Sequence, residues 1–92
     1  MTTFSVNKLQ VNGAVQPMIQ GTSDFIPLGV STLGLTFLPE YTFPPAVTLF
    51  HYDNRGTLIE VVNPTSLTIS GTTVNIITSG TDDTYVWYAI GI

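Results

Sequence analysis

Thr84-Tyr85-Val86-Trp87-Tyr88-Ala89-Ile90-Gly91-Ile92 is the stretch that decides the fold. It carries no charge and is apolar at both odd and even positions. A β-strand sends successive side chains to opposite faces. This run is therefore apolar on both faces, the pattern of a central strand covered on two sides. In a small two-layer domain one face meets the core, and the other is expected to meet a neighbouring subunit. Tyr85, Trp87, Tyr88 and Ile90 are the expected interface residues.

Upstream, the same period of two recurs in cleaner form. Leu33, Leu35 and Phe37 alternate with Thr32, Gly34 and Thr36. Val47 and Leu49 flank Thr48, Leu67 and Ile69 alternate with Ser66, Thr68 and Ser70, and Val74 and Ile76 alternate with Thr73 and Asn75. Each run is half-buried strand in character. Between them stand turn sequences: Asp53-Asn54-Arg55-Gly56, Ser70-Gly71-Thr72 and Ser79-Gly80-Thr81-Asp82-Asp83. Phe43-Pro44-Pro45 ends one segment and sets up the next, because proline is confined to strand edges, first positions and turns. No window carries apolar residues at helical spacing. The expected fold is all-β, a small antiparallel sandwich over residues 31–92. Residues 1–30, punctuated by Gly13, Pro17, Gly21, Pro27 and Gly29, read as an extended N-terminal arm that either folds back on its own sandwich or lies along a neighbour. The neighbour is favoured, because a domain this small has little surface for an arm to cover.

Composition narrows the function. A chain of 92 residues is one domain, and its core is thin, since a domain this small buries only roughly 60–65% of its unfolded surface. Disulfides, metals or oligomerisation commonly compensate. There is no cysteine, and His51 is the one histidine, so no zinc cluster forms and no cofactor is expected. Oligomerisation remains. Only 9% of residues are charged, against about 25% in ordinary domains, which leaves little to keep copies apart. Two basic residues, Lys8 and Arg55, and a net charge of −4 exclude phosphate-backbone binding and attraction to anionic membranes. No apolar run reaches the roughly 20 residues of a membrane span, and the N-terminus lacks the basic and apolar regions of a signal peptide. Synthesis in a cytoplasm is expected.

Catalysis finds no support. A Ser-His-Asp arrangement would have to use His51, and no serine sits in a Gly-x-Ser-x-Gly elbow. Asp82 and Asp83 are adjacent and point to opposite faces of an extended chain, so they do not form an acid/base pair. No calcium loop pattern surrounds Asp53 or Asp82-Asp83, and Asn63-Pro64-Thr65 is blocked as a glycosylation site by its proline. The chain is read as a non-enzyme with no metal site.

The order of the pieces resembles the H-type lectin-like β-sandwich and the related tip modules of phage tail fibres. The shared pattern is an aromatic-Pro-Pro entry to a strand, a strand ending in Asn, a hairpin, and a final Trp-x-Ala-Ile-Gly strand. Here these are Phe43-Pro44-Pro45-Ala46-Val47-Thr48-Leu49, Val61-Val62-Asn63-Pro64-Thr65, Leu67-Thr68-Ile69 and Trp87-Tyr88-Ala89-Ile90-Gly91, with Leu35-Thr36-Phe37 like the strand before the corner. The likeness covers about residues 31–92. It implies a six-stranded antiparallel sandwich, a homotrimer and a place on a phage particle. By the same likeness, His51, Asp53 and Arg55 in one turn, Asp82 and Asp83 in another, and Trp87 and Tyr88 in the last strand are candidate glycan contacts. Against this, Trp87 also suits a core, and Asp suits turn chemistry on its own account.

Two functions are expected from these observations. The first is a structural protein of the bacteriophage virion, assembled in the host cytoplasm. It would be a trimeric capsid decoration or cement protein, or an accessory tail component, bound to the major capsid protein or to a tail or baseplate protein. Because the sequence starts at Met1 with its own arm and no stalk, a free accessory subunit is expected rather than a fibre tip, with residues 1–20 as its anchor. The alternative is a carbohydrate-binding module that recognises a host-surface glycan, its weak single sites strengthened by trivalency.

Overall fold

The computed structural model describes residues 2–5, 10–11 and 14–92, with side chains from Gln16 onward. The described residues contain no helix. Nine strands form in chain order: β1 (Thr2–Ser5), β2 (Gln10–Val11), β3 (Ala14–Val15), β4 (Met18–Ile26), β5 (Thr32–Thr36), β6 (Ala46–Tyr52), β7 (Leu58–Val62), β8 (Gly71–Asn75) and β9 (Asp83–Gly91). One five-stranded sheet runs β1-β4-β9-β6-β7, β5 pairs with β8 in a second sheet, and β2 with β3 in a short hairpin. Every pairing is antiparallel. The architecture is a small all-β sandwich.

β9 lies at the centre of the main sheet, paired over its full length with β4 and nearly so with β6. Its odd residues, Trp87 and Ala89 among them, join Met18 and Ile26 of β4 and Val47 and Leu49 of β6 on the inner face. The second sheet contributes Leu35, Val74 and the flanking Phe37 and Ile76. Fully burying a side chain such as Leu49 or Phe37 stabilises the fold by roughly 1.5–3 kcal/mol. Phe37 is the keystone between layers: its ring meets Tyr41 edge-on at 5.5 Å and tilts against Trp87 at 5.7 Å. The Tyr41 hydroxyl reaches the backbone carbonyls of Met18 and Ala89, so the loop after β5 is tied to two strands of the main sheet.

Three expectations need correction. First, residues 18–26, placed in the arm, form a nine-residue strand of the main sheet with Met18 and Ile26 in the core. Its inner face reads Met18, Gln20, Thr22, Asp24, Ile26, so polar residues hide the alternation. Gln20 is buried because its amide is fully employed, accepting from Leu38 N and donating to Pro39 O. β1 (Thr2–Ser5) pairs back onto β4 in the same sheet. Neither segment is therefore an arm lying along a neighbour, and no boundary at residue 30 separates an arm from the sandwich.

Second, Ser66–Ser70 is not a strand, and the turn expected at Ser70-Gly71-Thr72 lies earlier. Leu67 makes a single bridge to Thr72, while the Thr68 hydroxyl accepts from Gly71 N and bonds Gly71 O. Local side-chain bonds of this kind compete with a ladder. Gly71 then opens β8, where the Leu35 carbonyl oxygen comes so close that any Cβ would overlap it.

Third, β9 is covered on one face by its own chain, as expected, but two of the four expected interface residues lie on that covered face. Tyr85 is half-buried and Trp87 buried, both on the inner face, whereas Tyr88 and Ile90 stand exposed on the outer. Of the four expected interface residues, Tyr85 and Trp87 are thus committed to the chain's own core.

Candidate functional site

The described residues bring one set of ionisable side chains together, on the inner face where β7, β6 and β9 lie side by side. His51 of β6 is the register partner of Glu60 on β7 and of Tyr85 on β9. Asp83 lies two residues before Tyr85 on the same face. The His51 Nδ1 is 2.7 Å from Glu60 Oε2, and its Nε2 is 2.7 Å from Asp83 Oδ2. His51 is wholly buried, Asp83 nearly so, and the Glu60 side chain retains 17% exposure.

The carboxylates are engaged further. Glu60 Oε2 accepts from the Ile77 amide at 2.6 Å, and Asp83 Oδ1 accepts from the Thr81 hydroxyl at 2.9 Å. Burial by itself would lower the His51 pKa. Its hydrogen bonds to Glu60 and Asp83, and then their charges, overcome this and raise it above the ordinary value of 6.5. The Ser79 hydroxyl is the largest influence holding the Asp83 carboxyl below its ordinary 3.8; burial opposes it, and bonds from His51 and Thr81 assist. No buried side-chain polar atom among the described residues lacks a partner.

The raised His51 pKa favours the protonated ring, which lies away from solvent. Both ring nitrogens of His51 face carboxylate oxygens, so neither is free to take a proton from a nucleophile, the geometry general-base work requires. Nor does the cluster form a metal site; no group of three potential ligands suited to a metal ion occurs among the described residues.

The candidate glycan contacts separate. His51 and Asp83 are sealed in this cluster, and Trp87 lies in the core at 5% exposure; none of the three can reach a sugar. Asp53 braces its own turn with one carboxylate oxygen, which accepts from Arg55 N and Thr57 N. Gly56, with φ of 85°, completes the reversal in the left-handed region. Asp82 accepts from Leu28 N. The Asp53–Gly56 turn and Asp82 share one end of the main sheet, because Tyr52 pairs with Thr84. Tyr88 sits four residues further along β9, about 13 Å away at strand spacing.

Glu60 went unnoticed in the sequence. Its signal was a lone carboxylate within the apolar run Leu58-Ile59-Glu60-Val61-Val62. Regular pairing from Tyr52↔Leu58 would set His51 opposite Ile59. A bulge inserts one residue and sets it opposite Glu60.

On the other side of the same sheet lies a broad apolar surface. Ile19, Phe25, Leu58, Val61, Tyr88 and Ile90 are all exposed, and Phe50 and Tyr88 stack at 5.6 Å on it. No Asp, Glu, Lys or Arg of β4, β6, β7 or β9 projects onto this face: Asp24, Glu60 and Asp83 all stand at inner-face positions. Four strands about 4.8 Å apart and about seven residues long cover on the order of 450 Å² in projection. That is the size of the largest apolar patch on an ordinary monomer, which is often a functional surface.

No family model, curated protein or solved structure matches the chain.

Proposed function

We propose that this chain is a structural subunit of a bacteriophage virion, a β-sandwich that assembles as a homotrimer and binds neighbouring capsid, tail or baseplate proteins without catalysing a reaction. The observation that carries the reading is the uncharged apolar outer face of the main sheet. A subunit of net charge −4 can bring copies of this face together without opposing like charges across it. The one cluster of ionisable groups among the described residues is meanwhile held on the inner face, and its histidine has both nitrogens facing carboxylates. Low overall charge and the order of the Phe-Pro-Pro, Val-Val-Asn and Trp-Tyr-Ala-Ile-Gly segments support the virion and the trimer. A capsid decoration or cement protein, or an accessory tail part, works by burying such surface across a junction at roughly 25 cal/mol per Å².

The glycan-binding alternative has lost His51, Asp83 and Trp87 to the interior, and one carboxylate oxygen of Asp53 to its own turn. The trimer is tested by light scattering of the purified chain at rising concentration. The expected mass is that of three chains of 9.9 kDa; a mass of one chain at every concentration contradicts self-assembly.

A further inference from the structure

Between β8 and β9 the chain crosses the open end of the sandwich as a strap of residues 76–82. Its first tie to the main sheet is the Ile77 amide, which donates to Glu60 Oε2 at 2.6 Å. At its far end Asp82 Oδ1 accepts from Leu28 N and the Thr81 hydroxyl donates to Asp83. The two carboxylates that receive the strap, Glu60 and Asp83, are the two that flank His51.

We propose that the proton on His51 is a latch: while the ring is doubly protonated it holds Glu60 in place to bind the strap, and its loss releases the strap's Ile77 end. An imidazolium has two N–H donors, and a neutral imidazole has one. Two carboxylate oxygens stand 2.7 Å from the two ring nitrogens, so a neutral ring leaves one nitrogen lone pair against a carboxylate lone pair. A proton on Glu60 Oε2 instead would turn that oxygen into a donor toward the ring and weaken its acceptance from the Ile77 amide. Asp83 is held as a carboxylate by the Ser79 and Thr81 hydroxyls as well as by His51.

When the ring deprotonates, Glu60 is the partner that yields. It retains 17% side-chain exposure against 2% for Asp83, so it can turn to water, where an unpaired carboxylate costs least. The Ile77 amide then loses its acceptor. The other groups facing the ring oppose its deprotonation or are silent. Asp83 and Tyr85 come from β9, with Asp24 of β4 acting on Tyr85. β5 and β8 contain no ionisable side chain, and the described cation nearest in sequence, Arg55, lies in the exposed turn.

The experiment uses the full chain. The His51 ring is titrated by NMR from pH 5 to 10 while amide protection, corrected for intrinsic exchange, is followed at Ile77 and at Val74 in β8. The expected His51 midpoint lies above 6.5. Ile77 protection should fall about tenfold or more across that midpoint, and Val74 should hold. Glu60→Gln supplies the second arm. Removing one of the two flanking charges should lower the His51 midpoint, and Ile77 should no longer follow it, because the amide side chain can both donate to a neutral ring and accept from Ile77. A wild-type midpoint at or below 6.5 overturns the latch. So does Ile77 protection indifferent to His51, or a loss at the same pH in wild type and Glu60→Gln.

Discussion

The two faces of the main sheet are built from the same strands, with similar residues, and have opposite fates. On β9, Trp87 and Ala89 point inward and are covered by Phe37 and the second sheet, whereas Tyr88 and Ile90 point outward into solvent. On β6, Leu49 is buried while its neighbour Phe50 lies on the outer face against Tyr88. The inner face also holds the ionisable cluster; the outer face holds no charged residue from these strands. Apolar side chains thus answer two needs in one strand: the inner row folds the chain, and the outer row is available to hold it to something else. Sheet faces left to solvent ordinarily alternate to polar residues; here the polar positions, Ser23, Thr48 and Thr84, are few and uncharged among apolar ones.

The contrast is broken most forcefully by truncation. Deleting residues 1–20 removes Met18 and Gln20 from the core and is expected to leave an unfolded chain by circular dichroism. Deleting 1–15 spares all of β4 and should keep a cooperative melt. Next comes Trp87→Ala, expected to destabilise by about 3–5 kcal/mol in urea unfolding, as large-to-small core changes do. Tyr88→Ala on the outer row should change the stability of the dilute chain by less than about 1 kcal/mol. Equal effects would erase the distinction between the faces.

The cluster gives a pH signature of intermediate size. His51 has a raised folded pKa, so its contribution is complete below the unfolded value of 6.5 and is lost as pH rises through the folded value. Asp83 has a lowered one, so its contribution is complete above 3.8 and is lost as pH falls through the folded value. Thermal stability should be greatest between 3.8 and 6.5 as far as these two groups determine it. His51→Gln should flatten the fall on the alkaline side while keeping the acid one. Asp53→Ala strips an acceptor from two exposed backbone amides and should cost no more than about 1 kcal/mol, with no change in the pH profile.

Much of this sheet was legible in the residues. The alternations around Leu35, Val47 and Val74 placed β5, β6 and β8, and the doubly apolar run from Tyr85 to Ile90 marked the central strand. What hid β4 was a buried amide: Gln20 occupies a core position by binding Leu38 and Pro39, partners set by tertiary structure. The cluster was hidden by the bulge at Ile59, which moves Glu60 opposite His51. Asp83 read as a turn residue because nothing local to it reveals that β9 begins there, beside β6. Only the sense of the outer face was open to composition alone, through the shortage of charge.

The outer row of β9 is the proposed assembly surface. Sedimentation of wild type and Tyr88→Glu side by side tests it, with circular dichroism confirming that both are folded. The mass is predicted to fall from three chains to one, 9.9 kDa, when Tyr88 is replaced. The same mass in both proteins, whether one chain or three, would contradict it.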